Sequence, residues 1–187
     1  IIDVGGESTR PGSDPVSEEE ERRRVVPVIE RIVDEIAVPV SIDTRKPAIA
    51  RMALEAGASM VNDIYGLRDP GMIDVVAEAG VPVVVMHMRG EPRTMQQNIH
   101  YDDVVGDIMI WLDRAVQRAV DGGIDPSNIV IDPGIGFGKE VDNNLEILRR
   151  LGEFRCLGYP IMVGPSRKAF IGSILDLPVE RRVEGTI

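Results

Sequence analysis

Short runs of Val, Ile and Met, each closing on a polar side chain and each followed by a stretch long enough for an amphipathic helix, constrain this chain more than any other feature. The runs are Ile1–Val4, Val38–Ile42, Met60–Asn62, Val81–Met86, Ile129–Ile131 and Ile161–Val163. Runs of this kind alternating with helical patterns are the signature of parallel βα units. The polar residues that close them are Asp3, Asp43, Asn62, His87, Asp132 and Ser166. In a parallel α/β fold the carboxyl ends of all strands point the same way, so these side chains are expected on one face, where such folds place their sites. An open doubly wound sheet obeys the same rule, but no Gly-x-Gly-x-x-Gly turn follows the first run, and a (β/α)8 TIM barrel is preferred. Six units in 187 residues have the residues-per-unit of an eight-unit barrel of ~250 residues. About six of eight units are therefore expected, in one partial domain over residues 1–187, with both ends reading as cut.

The helical patterns have their own punctuation. Ser17-Glu-Glu-Glu20 reads as a capping box opening a helix from about Glu18 to Ile36, in which Val25, Val28, Ile29, Ile32, Val33 and Ile36 recur at helical spacing. A second helix follows Pro47 and ends at Gly57, a left-handed cap. Residues 70–79, 103–120, 143–151 and about 166–175 supply four more, with Gly80, Gly122-Gly123 and Gly152 at their ends. The acidic run Glu18–Glu21 before Arg22–Arg24 is expected to form an exposed face of spaced ion pairs.

Composition narrows the function classes. With 21 Lys plus Arg against 31 Asp plus Glu the net charge is −10, which argues against nucleic-acid or anionic-membrane partners. The longest apolar run, Val81–Met86, is far below the ~18 residues of a membrane span, and no charged-then-apolar leader opens the chain, so a soluble cytoplasmic protein is expected. The one cysteine, Cys156, has no internal disulfide partner and reads as a buried or incidental thiol. With His87 and His100 it has no metal-ligand spacing.

Three clusters carry the chemistry. Gly5-Gly6-Glu7-Ser8-Thr9-Arg10-Pro11-Gly12, directly after a strand, can offer backbone N–H groups and Arg10 to a phosphate or carboxylate; the plainer alternative is a turn rich in Gly and Pro. Asp43, Asn62 and Asp132 stand where carboxylates and an amide would line a barrel mouth. A carboxylate accepts two parallel hydrogen bonds and an asparagine both donates and accepts, which suits an aminopyrimidinone edge. Helix capping, or ion pairing to Arg45 or Lys139, is the alternative. Asp132 opens the glycine-rich Asp132-Pro-Gly-Ile-Gly-Phe-Gly-Lys139. The third cluster is Gly164-Pro-Ser-Arg-Lys168. The three lysines, Lys46, Lys139 and Lys168, all lie just beyond strand ends in a chain with 18 arginines, which suggests specific roles rather than solvated charge. Met86, His87 and Met88 either floor a pocket or belong to the core, and Trp111 reads as packing.

Taken in order, these motifs resemble the dihydropteroate synthase family, pterin-binding (β/α)8 barrels of folate biosynthesis. The matching stretches are Asp3–Gly12, Ser41-Ile-Asp-Thr44, Val61-Asn-Asp-Ile64, Val85-Met-His-Met88, Asp132–Lys139 and Ser166-Arg-Lys168. The resemblance implies a transferase that joins 6-hydroxymethyl-7,8-dihydropterin pyrophosphate to p-aminobenzoate, giving 7,8-dihydropteroate and pyrophosphate. Mg2+ is implied with the pyrophosphate and a homodimer when full-length, in a family that is a sulfonamide target.

By the same resemblance Thr9 and Arg10 meet the pyrophosphate and p-aminobenzoate, with Pro11 beside the latter. Asp43, Asn62 and Asp132 hold the pterin edge, Ile64, Met86 and Phe137 line its pocket, Lys168 contacts its polar edge, and Ser166 and Arg167 border the p-aminobenzoate. Arg10, Asp43 and Lys168 are the implied catalytic groups. The family's Mg2+-binding asparagine belongs to a strand upstream and its Arg-x-His to the last strand, so neither lies within residues 1–187. Glu140 and Asn143 stand where the family usually has a small hydroxyl residue and a histidine. Two other readings share the pterin-edge residues: a methyltetrahydrofolate-dependent methyltransferase domain, and a non-catalytic pterin-binding copy.

Overall fold

The computed structural model describes residues 1–10 and 12–187. Five strands, β1 (Ile2–Gly5), β2 (Val40–Asp43), β3 (Met60–Asp63), β4 (Val83–Met86) and β5 (Ile129–Asp132), form one sheet in the order β1-β2-β3-β4-β5. Every neighbouring pair is parallel. Between and after them run α1 (Glu18–Glu35), α2 (Pro47–Glu55), α3 (Pro70–Ala79), α4 (Val104–Asp121), α5 (Val141–Arg149) and α6 (Ala169–Leu175).

Register sorts the strand side chains into two populations. Ile42 lies opposite Val61, Val61 opposite Val83, and Val83 opposite Ile129. Because successive residues of a strand face opposite ways, these positions share one face. Val40, Ile42, Val61, Val83, Val85, Ile129 and Ile131 there join the core with Val25 and Ile29 of α1, Ile49 of α2, Met72 of α3 and Ile108 and Leu112 of α4. The alternate positions, Asp43, Asn62, Met86 and Asp132 among them, face the other way. The same two-residue period therefore builds the core and aims the polar strand ends.

Several expectations need correction. Ile161–Val163 is not a strand: it makes one parallel bridge, Ile131 to Ile161. Ile131 N–H donates to Pro160 O and Met162 N–H to Ile131 O, both at 2.9 Å. Pro160 and Pro165 have no N–H to extend a ladder. Asp3 sits inside β1 rather than closing it. The capping box is half formed: Ser17 Oγ accepts from Glu20 N–H at 3.3 Å, but the Glu20 carboxylate is taken by Arg23 and Arg24. Glu21 is not on the exposed acidic face; it is 1% exposed. Val28, Val33 and Ile36 remain exposed, so the buried stripe of α1 is narrower than its apolar pattern. Gly152 ends no helix but lies within a 3-10 segment, Leu151–Leu157. Cys156 is exposed. Among the described residues, no helix is long and apolar enough to cross a membrane.

Candidate active site

Asp43 and Asn62 are direct neighbours across β2 and β3, and Met86 and Asp132 across β4 and β5. One side-chain oxygen of each of the first two, Asp43 Oδ1 and Asn62 Oδ1, is buried with no hydrogen-bond partner among the described residues. A buried acceptor without a donor costs about 1–3 kcal/mol, so two side by side mark a place where a ligand's N–H groups belong. Asn62 Nδ2 donates to Asp3 Oδ2 at 3.3 Å, which orients its amide and leaves the buried oxygen free to accept. Gly5 is the register neighbour of Asp43 on its other side and adds no side chain to that row. Asp132 is 4% exposed. Its Oδ1 accepts from Gly134 N–H at 2.7 Å, leaving Oδ2 for a ligand.

The electrostatics are those of a site waiting for hydrogen-bond donors. Burial pushes the Asp43 carboxyl up to about 7, with Asp3, Asp63, Glu21 and Glu7 adding to the push. Burial also raises the Asp132 carboxyl, against the Gly134 N–H and the charges of Lys168 and Lys139. The Lys168 ammonium is held down to about 8 by burial, against the attraction of Asp132 and Asp43. These shifts have a sign in stability. A carboxyl at about 7 when folded and 3.8 when unfolded binds more protons folded, so its ionisation opposes folding. The cost is complete above pH 7, with an upper limit of about 4 kcal/mol, and vanishes below about pH 4. Asp43→Asn is therefore expected to raise the melting temperature of the ligand-free, full-length gene product at pH 8, with the gap cut to less than half at pH 5. Equal gaps at both pH values would show that Asp43 is not strained by burial.

Above the polar row lies an apolar slot separate from the main core. Ile64, Met86, Met88 and Met95 form a buried cluster, with Tyr65 and Phe137 packed against it. Polarizable thioethers and an aromatic ring suit a flat heterocycle. Lys168 Nζ lies 4.3 Å from the Phe137 ring centroid and donates to Ile135 O.

The glycines after β5 let backbone pass where side chains cannot. Gly134 has φ +71°, and a Cβ there would fall 1.9 Å from His87 O. The loop is also pinned from within. Lys139, 3% exposed, donates to Phe137 O at 3.0 Å and meets His87 Nδ1 at 2.9 Å. Burial pushes both Lys139 and His87 toward their neutral forms. Asn144 Oδ1 accepts from Gly136 N–H at 2.6 Å. Lys139 thus makes no ion pair with Asp132, and His87 is a satisfied buried side chain rather than a pocket floor. Trp111 packs edge-on to His87.

The remaining predicted residues line a cleft of about 1060 Å³. Thr9, Arg10, Phe137, Ser166, Arg167 and Lys168 share its walls. Phe137 is common to the cleft and the apolar slot, and Lys168 on the cleft wall lies over its ring. Arg167 has φ +52°. Its N–H donates to Thr186 Oγ1 at 3.1 Å, and its carbonyl accepts from Arg182 at 3.2 Å. Pro11 lies outside the described residues. The structural contributions of Glu7, Glu21 and Asn144 went unread in the sequence. Glu21 had a signal, since it is four residues before Val25 and eight before Ile29 on one helical stripe.

The chain is similar to known proteins along its whole length. Residues 1–187 match the family model described as pterin binding enzyme. The dihydropteroate synthase of Bacillus subtilis (strain 168) is 51% identical over 187 residues, which is 100% of this chain and 63% of that protein. That of Escherichia coli (strain K12) is 44% identical, again over 100% of this chain and 66% of that protein. The chain thus spans a little under two thirds of these curated relatives. Among solved structures, the Yersinia pestis dihydropteroate synthase in a sulfonamide drug complex superposes with a TM-score of 0.96 at 43% identity, covering 98% of this chain and 67% of that one. The Xanthomonas albilineans dihydropteroate synthase with 4-aminobenzoic acid gives 0.93 at 47% identity, covering 98% and 66%. The five-stranded parallel sheet is accordingly part of an α/β TIM barrel.

Proposed function

The chain belongs to the pterin binding enzyme family, and from that premise we propose that the gene product containing it is a dihydropteroate synthase, with residues 1–187 forming one partial pterin-binding barrel domain. The observation that carries the reading is the pair of unpartnered acceptors, Asp43 Oδ1 and Asn62 Oδ1, beside Asp132 on one face. An aminopyrimidinone ring brings donors to these oxygens and an acceptor for Lys168. Ile64, Met86 and Phe137 clasp its faces.

The C–O bond between the pterin methylene and pyrophosphate breaks, and its electron pair leaves with the pyrophosphate. The resulting cation is delocalised into the ring beside Asp43 and Asp132, whose carboxylates, ionised against the ring's own N–H donors, stabilise it. The p-aminobenzoate nitrogen then attacks the methylene and loses a proton, completing the new C–N bond. Arg10 and Thr9 meet the leaving pyrophosphate and the carboxylate of p-aminobenzoate, with Pro11 beside the latter and Ser166 and Arg167 bordering it. No side chain forms a covalent intermediate. Positioning and charge stabilisation supply the rate.

Mg2+ would come bound to the substrate's pyrophosphate, which Thr9 and Arg10 meet, and would supply charge neutralisation of the leaving group. No group of three or more His, Cys, Asp or Glu among the described residues could hold a metal ion. We further propose a cytoplasmic protein, homodimeric when full-length, with small-molecule rather than nucleic-acid or membrane partners; the net charge of −10 supports the last point.

The test is p-aminobenzoate-dependent release of pyrophosphate from the pterin pyrophosphate by the full-length gene product with Mg2+. Turnover is expected. A folded protein that binds pterin without releasing pyrophosphate would reject the synthase reading in favour of a methyltransferase or a non-catalytic copy. Within that assay, Arg10→Ala is expected to raise KM for p-aminobenzoate about tenfold or more, the scale of one charge-assisted hydrogen bond. Calorimetry should find affinity for the pterin alone unchanged. Loss of pterin binding would show that the loop has been given the wrong role.

A further inference from the structure

The loop that carries Thr9 and Arg10 is closed at its base by a lysine that lines neither the cleft nor the slot. Lys46 stands just before α2, and its Nζ has three hydrogen bonds, one for each proton. It donates to Glu7 Oε2 at 2.7 Å, to Val16 O at 2.6 Å and to Glu21 Oε2 on α1. Glu7 and Val16 are the two ends of the loop, and they also meet each other: Val16 N–H donates to Glu7 Oε2 at 2.8 Å. The second oxygens are used as well. Glu7 Oε1 accepts from Arg45 Nε at 3.1 Å, and Glu21 Oε1 from Thr44 Oγ1 at 2.7 Å.

The cluster is sheltered. Side-chain exposure is 16% for Lys46, 9% for Glu7 and 1% for Glu21. The carboxylates of Glu7 and Glu21 face Lys46 and Arg45, and Arg45 also reaches Glu91 at 3.5 Å. Burial works against the Lys46 ammonium, but its hydrogen bonds to Glu21 and Glu7 hold its pKa above the ordinary value. Gly6 seats the loop on α1, since a Cβ there would fall 2.8 Å from Val25 Cγ1 and 2.9 Å from Glu21 Cγ. Arg24 donates to Gly6 O at 2.9 Å.

We infer that Lys46 is a positioning residue: its ammonium joins Glu7, Val16 and Glu21 and so closes the base of the loop, narrowing the range of positions from which Thr9 and Arg10 meet the anionic substrates. Closing the loop at its base removes part of the entropy cost that binding would otherwise bear. The inference rests on the reading of that loop as the anion-binding element. Three oxygens around one nitrogen fit a tetrahedral ammonium and not a planar guanidinium.

The test uses the full-length gene product and the double variant Lys46→Met/Glu21→Gln, which removes a cation and a buried anion together and so avoids an unpaired charge. Expected are faster hydrogen exchange at residues 7–16, a rise of tenfold or more in KM for p-aminobenzoate, and affinity for the unphosphorylated pterin within twofold of wild type. Lys46→Arg keeps the charge and is expected to show the same KM rise; full activity in it would overturn the geometric role. Unchanged exchange, or faster exchange with unchanged KM, would also overturn it. A parallel loss of pterin affinity would reduce Lys46 to a general structural part and overturn it likewise. If the wild type releases no pyrophosphate, the proposed function fails on its own account, and the exchange rates of the loop still decide for or against Lys46.

Discussion

Gly134→Ala is expected to cost about 3 kcal/mol or more of folding stability and to abolish pterin binding. Two penalties combine at this position. At φ +71° an L side chain is strained, which costs roughly 1–2 kcal/mol. The added Cβ would also lie 1.9 Å from the carbonyl oxygen of His87 and 3.0 Å from its carbonyl carbon. Both atoms are backbone at the end of β4, so no rotamer change relieves the overlap, and forced shifts of packed backbone add about 1–3 kcal/mol. Any shift also breaks the 2.7 Å bond from Gly134 N–H to Asp132 Oδ1 and turns the carboxylate from its place. Gly80 provides the control, with φ +64° and nothing within 4 Å of its added Cβ. Gly80→Ala should lose only about 1–2 kcal/mol. Denaturant unfolding of both full-length variants compares them directly, and equal losses would show that the contact at His87 is not what requires glycine.

Asp132→Ala is expected to weaken pterin binding a hundredfold or more. The carboxylate offers the ring charge-assisted hydrogen bonds, each worth about 1.5–3 kcal/mol. Its removal also leaves Gly134 N–H without its acceptor. Asp132→Asn separates the two effects: the amide oxygen can still accept from Gly134, but its nitrogen presents a donor to the ring's donors. That variant should fold normally and still bind pterin poorly. Calorimetric affinity within threefold of wild type in Asp132→Asn would remove the residue from its assigned place.

Much of this was legible because parallel βα architecture obeys a simple period. The positions of Asp43, Asn62 and Asp132 follow from strand runs that end in polar residues, and register then places them on the face away from the helices. What failed has identifiable causes. Ile161–Val163 has the composition of a strand, but the prolines at 160 and 165 limit it to one bridge. Composition groups Glu21 with its acidic neighbours, although its helical phase puts it with Val25 and Ile29. Lys139 looked like a partner for Asp132 along the sequence. Only the fold shows it turned back onto Phe137 and His87, a contact between loops that no local pattern encodes.

The two populations of strand side chains act as a single reading frame. Sliding β2 by one residue against its neighbours would bring Ile42 to the polar row and Asp43 into the helix-facing core, losing recognition and packing in one stroke. The connecting segments are under no such rule, because lengthening them leaves the strand phase untouched. Divergence in this chain is therefore free to change lengths between strands and not within them, and ligand chemistry is inherited with the fold's register rather than added to it.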